Sequence, residues 1–157
     1  MAIPSLALAN SVINIFRQRP NLAKLGDPVY DGMMRYWLAI AALAGAGAVL
    51  LGAFAAHGLN GRISGAAQSV FDTGARYHLC HALAMGLAAL AMRGPARPRA
   101  RLAAILFLAG IVLFSGSLYL LALTGIRAFG FVTPVGGLAF LFGWLALGLA
   151  ALKLEEP

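Results

Sequence analysis

From Tyr36 to Ala56 the chain runs for 21 residues without a charged side chain. A helix rises 1.5 Å per residue, so this run covers roughly 30 Å, the thickness of the hydrocarbon core of a bilayer. Two more charge-free runs follow at residues 102–124 and 133–152. A fourth, at 70–92, is uniformly apolar only from Ala82 to Met92, with Asp72, Arg76, His78 and His81 in its opening turns. Four such runs in 157 residues, with 61% hydrophobic and 11% charged side chains, exclude an ordinary water-soluble domain. The expected fold is all-α: a polytopic membrane protein, a four-transmembrane-helix bundle formed by residues 33–157.

The net charge of +7 does not point to nucleic acid, because the basic residues gather at the ends of apolar runs. Arg93, Arg97, Arg99 and Arg101 stand between the second and third runs, with Gly94, Pro95 and Pro98, in what reads as an aqueous loop. The other two connections carry only Arg62 and Arg127. Positively charged loops stay on the cytoplasmic side, which places this loop, Arg17, Arg19, Lys24, Arg35 and both termini there. The four arginines are also expected to meet lipid head groups. Tyr36, Trp37 and Trp144 suit an aromatic belt at that interface, the alternative for Trp144 being a place too deep for it.

Residues 1–32 form an extension without the order of features of a secretory signal. Leu6, Ala9, Ile13 and Phe16, after a cap at Ser5, fit an amphipathic helix lying on the membrane; alternatively Met33 or Met34 marks the true start.

Lipid offers no hydrophobic drive between helices, so small residues that permit close approach do much of the work. Ala44, Ala48, Gly52 and Ala56 recur every fourth residue. Ser115, Gly116, Ser117 and Tyr119 on the third run, with Gly136, Gly137, Gly143 and Gly148 on the fourth, are candidate packing positions. Thr133-Pro134 reads as a helix start, threonine as cap and proline at the first helical position.

Chemistry could reside only on the second run. His78 and His81 are three apart and share a helical face, Tyr77 lies beside them, and His57 ends the first run. Ligation of a metal would use the three histidines with Asp72 as a distant partner; ligation of haem would pair His57 with His78 or His81. Neither has a recognised motif, and ordinary packing and hydrogen bonding also account for these residues. Asp72 and Arg76, at i and i+4, are expected to form an ion pair. The single cysteine, Cys80, excludes an internal disulfide or a multi-cysteine cluster. No nucleophile has a recognisable base, so neither enzyme activity nor a resident cofactor is expected.

Gly52-Ala-Phe-Ala-Ala-His-Gly-Leu59, Phe71-Asp-Thr-Gly-Ala-Arg-Tyr-His-Leu-Cys-His-Ala-Leu83, Phe114-Ser-Gly-Ser-Leu-Tyr119, Thr133-Pro-Val-Gly-Gly137 and Gly143-Trp144 together resemble the domain of unknown function 423 family, the group that includes transmembrane protein 256. The likeness covers about Met34 to Leu152, with Ala55 where a glycine is usual. It implies a small multi-pass protein of the bacterial inner membrane without an established activity, and it places His57, Tyr77, His78, His81, Ser115, Ser117, Tyr119, Thr133 and Pro134 in the family pattern.

The leading expectation for function is a non-enzymatic structural or accessory subunit, packing against itself or a larger membrane complex. The alternative is a protein that binds or transports a quinone, metal or haem through the histidines of the first two helices.

Overall fold

The computed structural model describes residues 28–154. The amphipathic helix expected near Leu6–Phe16 lies outside the described residues. Among the described residues the chain is all-helical, without a strand. Helix α1 (Pro28–Ala53) continues into a π turn, Phe54–Gly58, and α2 spans Gly65–Leu90. Helices α3 (Arg97–Gly110) and α4 (Gly116–Thr124) form one rod through a second π turn, Ile111–Ser115, and α5 spans Thr133–Ala151.

Three stretches are long and apolar enough to cross a membrane: Gly32–Gly58, Gly94–Thr124 and Arg127–Ala151, of 27, 31 and 25 residues. Helix α2 has the length, 26 residues or roughly 39 Å; its polar groups keep it below the same apolarity. It is also the helix held between neighbours. Helix α1 packs on α2, α2 on the α3–α4 rod, and the rod on α5. Each helix thus leans on the one before it. Helices α1 and α5 are not brought into extensive contact, so the bundle is open and not a closed ring.

Local chemistry explains the ends. Ser64 caps α2 by accepting the Ala67 N–H at 3.2 Å. Gly125, at φ 70°, closes α4 in the left-handed conformation, its N–H donating to the Leu121 carbonyl at 2.9 Å.

Three expected boundaries move. Helix α1 begins at Pro28 instead of residue 36, within the segment read as an extension. Helix α2 begins at Gly65 instead of near residue 70. The arginine-rich segment is not a loop throughout: a short 3₁₀ turn, Gly94–Ala96, leads directly into α3, so Arg97, Arg99 and Arg101 stand on helix. Proline stops a helix from within but is tolerated in its first turn, where Pro95 and Pro98 sit, because the missing N–H has no carbonyl to meet there.

Alanine dominates the interior. Ala82, Ala84, Ala88 and Ala89 of α2 and Ala100, Ala103 and Ala104 of α3 are buried, around the larger Met85 and Phe107. Side chains this small let helix backbones approach, and the approach is closest between the rod and α5. A methyl group on Gly136 would lie 2.7 Å from the Phe114 Cα and 2.8 Å from the Leu113 carbonyl carbon. One on Gly143 would meet the Phe107 ring at 2.7 Å, whereas Gly137 touches the Phe114 ring at an ordinary 3.8 Å. The stripe expected on α1 is less uniform. Ala48 is buried and Ala44 half-buried, but Ala56 is exposed and Gly52 has nothing within 4 Å. Gly148 also faces open space, and Gly116 lies only against its own chain.

Thr133 opens α5, yet its hydroxyl makes no cap bond. It meets the Ser117 hydroxyl at 2.8 Å, while Ser117 donates to the Phe114 carbonyl at 2.9 Å, so the pair ties α5 to α4. Ser115, fully buried in the π turn, has a hydroxyl without a partner among the described residues.

Candidate functional site

Level along the bundle follows from which residues meet. Ala41 approaches Gly86, and Gly47 approaches His78. Gly47 is close to the middle of the charge-free run 36–56, so His78 lies level with the middle of that run, and α2 extends five residues further toward its start than its apolar pattern suggests.

The two histidines also part company. His78 turns toward Tyr119 of α4, its Nδ1 3.3 Å from the phenol oxygen, with Gly47 leaving room on the α1 side. His81 turns toward α5. Its Nδ1 is 2.8 Å from the Tyr77 carbonyl, which can only accept, so the proton is assigned to Nδ1. Its Nε2 then accepts from the Trp144 indole N–H at 3.3 Å. With both nitrogens engaged, the ring is held as the neutral tautomer and has no lone pair for a metal. His57 is exposed in the first π turn. No three His, Cys, Asp or Glu side chains among the described residues come together as a metal site, so the three imidazoles do not converge. Asp72 is half-buried on α2, and it forms no ion pair with Arg76 among the described residues.

What does converge is aromatic. The His81 ring stacks on Phe140 with centroids 3.4 Å apart and planes 11° from parallel. Tyr77 lies 4.7 Å from Phe114 and 5.8 Å from His81, and Trp144 meets Phe107 edge to face at 5.3 Å. These rings fill the space between α2 and α5, whose backbones do not approach each other. They leave a groove of about 700 Å³, open to the side, lined by Tyr77, His81, Phe114, Phe140 and Trp144 with Pro134, Gly137, Leu138 and Leu141. The Tyr77 side chain is 43% exposed, and its hydroxyl has no hydrogen-bond partner among the described residues. Such a groove, apolar with one free donor, suits a small lipid-soluble molecule.

Sequence reasoning singled out Tyr77, His81 and Trp144 but not their common groove. Phe140 and Phe114 look like ordinary apolar helix residues, and the close approaches at Gly110, Gly136 and Gly143 bring the rod and α5 together beneath them. Gly74, whose added methyl would lie 2.9 Å from the Tyr119 ring, was equally silent, whereas Gly110, packed under Phe140, is one of the small residues expected at helix contacts on the third run.

An all-helical chain with apolar helices of spanning length and an aromatic groove open to the side is a helical membrane protein. Its relatives say the same. Residues 51–137 match the family described as protein of unknown function DUF423, and the chain belongs to that family. It is 43% identical over 121 residues to the UPF0382 membrane protein YwdK of Bacillus subtilis, covering 76% of this chain and 98% of the relative. It is also 43% identical over 125 residues to a UPF0382 membrane protein of Haemophilus influenzae, covering 79% and 99%. With the UPF0382 inner membrane protein YgdD of Escherichia coli it shares 40% identity over 122 residues, covering 78% and 93%. No solved structure matches the chain.

Proposed function

We propose that this protein crosses the bacterial inner membrane four times, with both ends in the cytoplasm, and holds a lipid-soluble small molecule in the groove between α2 and α5 without transforming it. Support for the fourth crossing comes from the outward face of α2. Leu79, Leu83, Leu87 and Leu90 are exposed there at helical spacing, while His78 and His81 turn inward. A helix with that division presents hydrocarbon to lipid and keeps its polar groups among its neighbours. Reporter fusions after residues 60, 94, 128 and 154 test the topology; the second and fourth are expected in the cytoplasm, the others outside.

The observation that carries the ligand reading is the aromatic groove between α2 and α5, open to the side. Stacked rings offer flat faces, and the Tyr77 hydroxyl can donate to a carbonyl, so a quinone-like ring with an alkyl tail along Leu138 and Leu141 fits the chemistry. Metal and haem gain no support, since His81 is fully engaged and His57 is remote from the groove. Trp144 lines the groove and Trp37 does not, which gives a direct assay. Decyl-ubiquinone is expected to quench Trp144 fluorescence saturably in reconstituted protein, with the effect lost in Trp144→Phe and weakened about tenfold in Tyr77→Phe. Equal quenching of Trp37 and Trp144, or equal affinity in Tyr77→Phe, refutes the reading.

A second reading, an accessory subunit, has its own observation. Among the described residues helix α1 packs chiefly on α2, and only 17% of its most apolar window is buried. Its free side could meet another copy or a larger complex. Native mass determination in mild detergent tests this; a monomer without any protein partner counts against it.

A further inference from the structure

The end of the bundle where α1 and α3 begin and α2 and α5 finish gathers Arg35, Arg93, Arg97, Arg99, Arg101 and Lys153. All but Arg97 are exposed, and Arg97 is already engaged. Asp31 of α1 stands at the same end, and the other half of the bundle carries Arg62, Arg76 and Arg127 together with Asp72.

The position of the arginines on α3 is electrostatically unfavourable. A helix begins with unpaired N–H groups and a partial positive charge, which acids and caps normally offset. Helix α3 has neither a side-chain cap nor an acidic residue in its first turn, and places arginines there instead. No ion pair among the described residues offsets Arg93, Arg99 or Arg101. Among the described residues the six basic residues at this end stand against one acid, Asp31, so their charge and the start of α3 both make it positive.

The arrangement also limits what can answer that charge. Ala96, Ala100, Ala103 and Ala104 form the buried stripe of α3. At about 100° per residue, Arg99 leaves the helix on one side of Ala100 and Arg101 on the other. One small anion cannot reach both. A layer of phosphates, each met by a different arginine, can.

We propose that this end of the bundle is a docking surface for the head-group phosphates of anionic membrane lipids. Guanidinium groups pair with phosphate oxygens through two parallel hydrogen bonds, and each basic residue near an anionic surface contributes roughly a fivefold preference. Lipid phosphates at this end also relieve the conflict between the arginines and the start of α3. The proposal is independent of the groove and of its ligand.

Native mass spectrometry of the whole chain in mild detergent tests it, with phosphatidylglycerol, phosphatidylcholine and inorganic phosphate as probes. Detergent removes the question of orientation. The wild type is expected to hold phosphatidylglycerol at least about tenfold more tightly than phosphatidylcholine, and millimolar inorganic phosphate is expected not to displace it. The triple variant R93Q/R99Q/R101Q is expected to lose the preference, and R93K/R99K/R101K to keep most of it. Raising salt from 0.15 to 0.5 M on the wild type should weaken the preference even if the glutamine variant does not fold. Equal binding of the two lipids by wild type, an unchanged preference in the folded glutamine variant, no response to salt, or displacement by inorganic phosphate overturns the proposal.

Discussion

Replacing Gly136 by alanine tests the packing on which the groove depends. The added methyl falls 2.7 Å from the Phe114 Cα and 2.8 Å from the Leu113 carbonyl carbon, and both are backbone atoms. No rotamer change can clear the way, so α5 must move away from the rod. Overpacking of this kind costs about 1–3 kcal/mol. Alanine favours a helix over glycine by roughly 0.5–1 kcal/mol, which offsets part of that. A net destabilisation of about 1–2 kcal/mol follows. Gly148→Ala is the matched control: nothing lies within 4 Å of its methyl, so only the helix preference remains and the change should be neutral or mildly stabilising. Denaturation in mixed micelles, followed by far-UV circular dichroism and Trp144 fluorescence, measures both. Gly136→Ala should also shift the Trp144 emission, because Phe114 lines the same groove. If Gly136→Ala and Gly148→Ala proved equally stable, the close approach of rod and α5 would be wrong.

Trp144→Phe keeps an aromatic side chain, smaller than the indole, but removes the donor to His81 Nε2, and should cost at least about 1 kcal/mol in unfolding followed by circular dichroism. Ser117→Ala and Thr133→Val each break the 2.8 Å hydroxyl pair; a double-mutant cycle should give a coupling of roughly 0.6 kcal/mol, and strict additivity would deny the bond. Ser115→Ala removes a fully buried hydroxyl without a partner, so it should leave stability unchanged or raise it by up to about 1 kcal/mol.

The three charge-free runs were legible from the sequence because lipid demands them, and each corresponds to an apolar helix. Other features depended on information a single chain does not display. Pro98 reads as a helix breaker until it is known to stand in a first turn, so the start of α3 was hidden. His78 and His81 are neighbours by helical spacing, yet a difference of about 60° around α2 is enough to send one to α4 and the other to α5. Which helix occupies each direction is a property of the assembled bundle. The groove was hidden for the same reason: Tyr77, Phe114, Phe140 and Trp144 come from three separate segments, and rings facing a neighbour read like rings facing lipid. Gly136 carried a usable signal as a small residue, but Gly52 and Gly148 carried the same one and face open space.

The π turn at Ile111–Ser115 has a consequence for how this chain tolerates change in length. A π turn accommodates one residue more than the α-helix around it. Because the turn absorbs that extra residue locally, removing a single residue there would let the rod rewind as continuous α-helix while Tyr119 keeps its direction toward His78 and Ser117 its direction toward Thr133. The same deletion made in the regular helix of Arg97–Gly110 has no such slack and would turn everything beyond it by about 100° about the rod axis. The turn therefore works as a splice, a place where the rod can lose a residue and still present the same faces to its neighbours.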